Sequence, residues 1–326
     1  MRTTSVGALG AALASAACGG TDPSQSANVA GTRASSEIAG CPVFPADDPW
    51  NEDISAAPVD PASDAFLARM APERALRLGF GVEPFYGIPV TVVPSDQPEV
   101  PITFGTDGLD YSAESDRGPF PIPLDAPIQG GRPGQDATEG DRHMVVVQEG
   151  TCRAFELFNA ERTGDGFRAS SAVWWDLRAP SWPRRPPGWT SADGAGLPLL
   201  PGLIRWEEAS TGTIAHAIRF TAPAVRRAYV APANHCGPTN DARLPPFGTR
   251  LRLRADFDLS PYTGATRTIL EALQRYGMIL ADVGTPWTLG GTSDPGFADT
   301  VRQLRAHPVP GSAFEVVRLG AVRTDC

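Results

Sequence analysis

The apolar residues of this chain fall mostly in short runs that end at Gly or Pro. Such runs predict strands at residues 88–93, 101–104, 143–147, 152–158, 169–176, 215–221, 227–230, 250–256, 278–280 and 314–319. The clearest pair is HMVVV (143–147) and CRAFELF (152–158), joined by a turn at 149–151, which reads as a hairpin. In MVVV both faces are apolar, so that strand should be covered on both sides. Helical spacing is confined to 265–276, where Ile269, Leu270, Leu273 and Tyr276 form one stripe, to 297–306, and to a short piece at 62–70. The pattern predicts a mainly β protein. Residues 41–326 should form a single large β-sandwich or jelly-roll-like domain with two or three peripheral helices, two packed domains being the alternative. The 34 Gly and 33 Pro agree with many turns and short strands.

The first 18 residues read differently. Arg2 precedes a run of small and apolar residues, 6–17, that is too short to span a bilayer and resembles a secretion signal. It ends at Ser15-Ala16-Ala17-Cys18, which resembles the lipobox of bacterial lipoproteins, with Ser15 where Leu is usual. Cys18 is therefore the candidate lipidation site, and ordinary signal cleavage the alternative. Residues 19–40 have the composition of a flexible tether. The expected location is exported, either lipid-anchored in the cell envelope or extracellular.

Setting Cys18 aside leaves Cys41, Cys152, Cys236 and Cys326, an even set compatible with two disulfides in any of three pairings. Their wide spacing argues against a compact zinc knot. Net charge is −9, all 28 basic residues are Arg, and no basic cluster is long enough to track a phosphate backbone, so nucleic acid is not expected as a partner. Contact with a membrane is expected only through an N-terminal lipid.

From residue 141 to 315 the chain carries GDRHMVVV, CRAFELF, GWTSADGAGLPLLPGL, GTRLRLRADFD and YGMILADVGT. These motifs resemble an uncharacterised family of secreted bacterial proteins. The resemblance implies export, and it brings no established activity to transfer.

Function must then be sought in residue chemistry. Glu156 shares a strand face with Cys152 and Ala154, where an ionised carboxylate is costly unless paired or open to a cleft. It reads either as a general acid or base, or as a buried partner for an arginine. Asp176 ends the strand AVWWD at the mouth of a loop holding Trp182 and Trp189. Asp193 is either a further carboxylate of a site or the cap of its Asp-Gly turn. Two carboxyls in opposite protonation states are what glycoside hydrolysis needs. Glu156 and Asp176 are the expected pair, with His143 or His216 assisting as proton shuttles, or serving as structural imidazoles. Trp182 and Trp189 offer flat apolar faces for sugar rings, and Arg178 and Arg205, with Asp193, offer polar contacts to an acidic sugar. No GxGxxG follows a strand, no GxxxxGK is possible without lysine, no HExxH occurs, and Ser191 lacks a GxSxG context. No cofactor or metal is expected. The reading is an exported protein that acts on or grips extracellular polysaccharide, a glycoside hydrolase with paired carboxylates in its sharper form. The alternative is a non-catalytic carbohydrate-binding or structural envelope lipoprotein.

Overall fold

The alternation of apolar residues in the 143–176 region sets the first layer. In the computed structural model, which describes residues 36–83, 86–132, 136–138 and 140–326, these residues form a four-stranded sheet. Its order is Ser171–Asp176, Arg153–Phe158, Met144–Gln148, Val90–Val93. The first three strands are antiparallel neighbours, with Met144 opposite Leu157, and Val90–Val93 runs parallel to Met144–Gln148. Val145, Val147, Ala154, Val173 and Trp175 point into the main core. Met144, Val146, Phe155, Leu157 and Ala172 point the other way, into a second cluster with Phe120, Ile122 and Phe167. The sheet is thus covered on both faces, as the runs of valine require. Each fully buried large side chain contributes about 1.5–3 kcal/mol.

The second layer is a six-stranded mixed sheet in the order Phe314–Val316, Arg250–Leu253, Met278–Val283, Ile218–Ala222, Thr288–Leu289, Arg77–Leu78. Its central strands, Met278–Val283 and Ile218–Ala222, are parallel, and Ile218, Phe220, Met278 and Leu280 share the main core with the first sheet. The register between these two strands slips once. Phe220 lies opposite Leu280 and Thr221 opposite Asp282, leaving Ala281 as an extra residue. A bulge of this kind bends the strand and re-aims the side chain that follows it.

The mainly β expectation holds, and the described residues from Ser36 to Cys326 belong to one compact unit. Helices Gly264–Arg275 and Ala298–Ala306 match their predicted spans within two residues at each end, with Ile269, Leu270 and Leu273 buried. The first helix is shorter than expected, Ser63–Leu67. A fourth, Trp206–Thr211, was not predicted; it is six residues long and ends at Gly212 with φ 89°. The count of two or three helices is therefore corrected to four among the described residues.

The tether boundary also moves. Residues 1–35, including the expected signal and Cys18, lie outside the described residues. Residues 36–40, by contrast, belong to the fold. Ser36 is buried, Glu37–Ile38 pairs antiparallel with Cys41–Pro42, and Cys41 is bonded to Cys152. The other disulfide joins Cys236 to Cys326. Of the three possible pairings the fold brings these two together, at Cα separations of 5.4 and 5.6 Å. Two such bonds suit an oxidising environment. No helix among the described residues is long and apolar enough to cross a membrane.

Candidate functional site

Glu156 faces the main core and is fully buried. Its carboxylate accepts from the Trp175 indole at 2.9 Å, from the Leu199 amide at 3.0 Å and from the Leu200 amide at 2.9 Å. The last two donors open the short 3-10 turn Leu200–Gly202, so Glu156 satisfies amides that would otherwise be buried without partners. Burial pushes its pKa up to about 7, while these donors pull it back. The expected arginine partner is absent among the described residues; backbone amides and an indole take its place.

Asp176 does not join it. Glu156 lies opposite Val173, and Asp176 is three residues further along the same neighbouring strand, opposite Arg153. Three residues span about 10 Å and reverse the face of the sheet. The two carboxyls therefore do not open into one cleft, which corrects the expected pairing. Asp176 is half-buried and accepts from the Arg178 amide, while Arg178 itself is exposed and donates to the Gly150 and Thr151 carbonyls of the hairpin turn.

The tryptophan-rich loop is likewise split. Trp174 is held between the guanidinium groups of Arg153 and Arg184, and Trp175 is core. Trp189 is half-buried beneath Arg185, and Trp182 is half-buried against a different part of the surface, near Arg250. Asp48 and Asp116 anchor this loop through Ser181, Arg184 and Arg185. Arg205 and His216 form a second buried network. Arg205 pairs with Glu208 and Ser36, and His216 Nε2 lies 3.3 Å from Glu208 Oε2 while its Nδ1 meets the Ala217 carbonyl at 2.8 Å. That network ties residue 36 and helix Trp206–Thr211 to the sheet. No hydrogen bond or ion pair joins it to Glu156 or Asp176 among the described residues, so the four expected catalytic residues do not come together as one set, although Asp193 acts electrostatically on Glu156.

A different cluster does converge, around Asp193. Both expectations for this residue hold at once. Its Oδ1 caps the turn by accepting from the Ala195 amide at 3.0 Å, and its Oδ2 accepts from Arg219 Nε at 3.1 Å and a terminal nitrogen at 2.5 Å. Asp193 is 2% exposed and Arg219 6%, so the pair is sealed from water. The loop is docked on the bulge, the Ala195 amide donating to the Ala281 carbonyl at 2.9 Å. This sets Asp282 beside Gly194. A Cβ at 194 would stand 2.6 Å from Asp282 Oδ1, so glycine is what lets the carboxyl sit there. Glycine at 290 serves the same end for Arg219, whose Cγ would lie 2.6 Å from a Cβ there.

His143 completes the group. It is 3% exposed, its Nδ1 lies 2.6 Å from Gln129 Oε1, and it shares a hydrogen bond with the backbone of Ala192. The preceding residues are pinned by the Asn159 and Ala160 amides, which donate to the Asp141 and Arg142 carbonyls, and by Arg142 with Asp107 and Asn159. Asp141 is exposed and acts electrostatically on His143, Arg219 and Asp282.

The cluster thus holds three carboxyls facing one guanidinium. Burial opposes the charge on Arg219, but Asp193, Asp282 and Asp141 outweigh it and raise its pKa. Burial also raises Asp193 against the pull of Arg219. Asp282 is half-buried, and burial with the repulsion of Asp193 pushes it up to about 7. Burial takes His143 down to about 4, leaving it neutral near pH 7. A carboxyl whose pKa is raised to about 7 beside a buried guanidinium is an arrangement suited to acid–base chemistry. Among the described residues, no group of three or more His, Cys, Asp or Glu side chains is placed to hold a metal ion.

Arg219, Asp282 and Asp141 were not among the sequence candidates. The available signal was a lone charge inside each of two otherwise apolar strands, AIRFTA and MILADV. No family model, curated protein or solved structure matches the chain.

Proposed function

We propose that the protein is an exported glycan hydrolase in which Asp282 is the general acid and Asp141 the general base. The observation that carries this reading is the seat of Asp282, a half-buried carboxyl lodged against Gly194 beside the sealed Asp193–Arg219 pair. In the proposed reaction the Asp282 proton passes to the glycosidic oxygen as its bond to the anomeric carbon breaks. A water attacks that carbon and gives its proton to Asp141, which completes the roles of general acid and general base. Arg219 and Asp193 are positioning residues that set the field around Asp282, whose Oδ1 accepts from the Val283 amide at 2.7 Å. Neutral His143 fixes the Ala192–Asp193 turn, and Glu156 holds the Leu199–Leu200 turn further along the same loop. Export is supported by the two disulfides and by the signal-like residues 1–18, with Cys18 as the proposed lipid anchor.

The second reading, a non-catalytic carbohydrate-binding envelope protein, is favoured by Trp182, which is half-exposed and stands apart from the Asp282 cluster. A panel of polysaccharides separates the two. The purified protein should release reducing ends from at least one of them, and Asp282→Asn should lower that release about a hundredfold or more. Retardation in affinity gels without any release would favour the binding reading.

A further inference from the structure

Trp182 lines a cleft of about 500 Å³. Its walls include Pro49 and Pro58 from the N-terminal arm, Pro232, Arg250 and Arg318. Arg250 lies opposite Ile279, three residues before Asp282, so the two places are separated by about 10 Å along one strand. The volume is within the range of small-ligand sites.

The chemistry of the walls is uneven. The indole of Trp182 presents an apolar face, and its N–H has no partner among the described residues. All donors of the Arg250 guanidinium are taken, by the carbonyls of Pro49, Glu52 and Tyr276 and by the Glu52 carboxylate at 3.3 Å. Arg250 therefore offers no free N–H to a ligand. Arg318 is exposed, and its guanidinium makes no hydrogen bond or ion pair among the described residues. Glu52 is 59% exposed and offers acceptors at the rim. Of the two guanidinium groups that line the cleft, Arg318 is the one with free donors, while the Arg250 charge is offset by Glu52, Asp48 and Asp53.

We infer that the cleft is a binding subsite for a uronic acid residue of the polysaccharide. The sugar's C–H face would lie on Trp182, its carboxylate would meet Arg318, and its hydroxyls would meet Glu52. The inference rests on the polysaccharide reading above but uses none of the residues assigned to bond cleavage.

The test is calorimetric titration of the full protein with trigalacturonate, and with maltotriose as a neutral trisaccharide. Trigalacturonate should bind at least about tenfold more tightly than maltotriose, and more weakly as salt is raised. Arg318→Glu changes an exposed side chain and should weaken trigalacturonate binding about tenfold or more. Trp182→Ala should do the same, while Trp182→Phe, which keeps a flat face, should stay within about threefold of wild type. Asp282→Asn should leave binding unchanged, so that loss of hydrolysis and loss of binding are read separately. Equal binding of both trisaccharides, no binding of trigalacturonate, or binding indifferent to Arg318→Glu would overturn the inference.

Discussion

The indole of Trp175 donates to Glu156 Oε2 at 2.9 Å across two neighbouring strands, on the face that packs into the main core. With the Leu199 and Leu200 amides at 3.0 and 2.9 Å, this contact commits both carboxylate oxygens to inward-facing donors. Glu156 is therefore a fixed internal acceptor that shapes a turn, and a substrate has no route to it.

Replacing Glu156 by Gln keeps the shape but puts an amide nitrogen with two N–H donors where the protonated acid has one hydroxyl, whose oxygen can still accept. The variant should lose about 1–3 kcal/mol at pH 5 in denaturant titrations. The pH dependence has a definite sign. Burial raises the folded-state pKa from 4.5 to about 7, so the folded state holds the extra proton between those values. Wild type then loses stability relative to the Gln variant as pH rises from about 4.5 to 7. A cost that does not vary over that window would contradict this account of Glu156.

The Asp193–Arg219 pair should behave as a buried ion pair whose members depend on each other. Arg219→Leu leaves Asp193 sealed and uncompensated, and should cost roughly 3–5 kcal/mol. Asp193→Leu should cost less, because Asp282 and Asp141 remain to offset the Arg219 charge. The double variant should recover most of the loss, so a thermodynamic cycle would give a large coupling energy. Simple additivity of the two losses would show that the pair is not the unit described.

Gly194 offers a milder perturbation of Asp282. An added methyl would come within 2.6 Å of the carboxyl oxygen, the movable end of a side chain, so the fold can accommodate it. Gly194→Ala should shift thermal unfolding by only a few degrees. Polysaccharide hydrolysis should nevertheless fall towards the level of Asp282→Asn. Full activity in this variant would mean that the position of Asp282 is not critical.

The Cys41–Cys152 bond closes a loop with a sequence separation of 111 residues. Removing it with Cys41→Ser and Cys152→Ser together should cost about 4–5 kcal/mol on the chain-entropy account. Protease sensitivity should appear first at the N-terminal arm, which carries Trp50 and the wall of the Trp182 cleft. Unchanged stability after reduction would argue that packing alone holds the arm.

Much of the framework can be read from residue patterning because the strands obey it locally. The valines of Met144–Gln148 alternate between two cores, and the stripe of Gly264–Arg275 buries Ile269, Leu270 and Leu273. Helix Trp206–Thr211 escapes such a reading because its six residues make less than two turns, and it is stabilised through Arg205, Glu208 and Ser36 instead. The site was harder to see. Asp193 and His143 stood out by residue type, but Arg219 and Asp282 meet them only because a bulge at Ala281 and glycines at 194 and 290 clear the space. Those are properties of strand register between distant segments, which no local pattern records. The pairing of Glu156 with Asp176 failed for the same reason, since a register three residues apart reverses the face.

The most direct test of the central claim is the pH profile of polysaccharide hydrolysis by wild type and by Asp282→Asn, Asp141→Asn and Glu156→Gln. If Asp282 is the acid, wild-type activity should fall as pH rises through about 7, where its carboxyl loses the proton. Both Asp→Asn variants should lose about a hundredfold or more in kcat/KM. Glu156→Gln, once folded, should keep the wild-type profile. Hydrolysis that survives Asp282→Asn, or that is abolished by Glu156→Gln in a folded protein, would contradict the account.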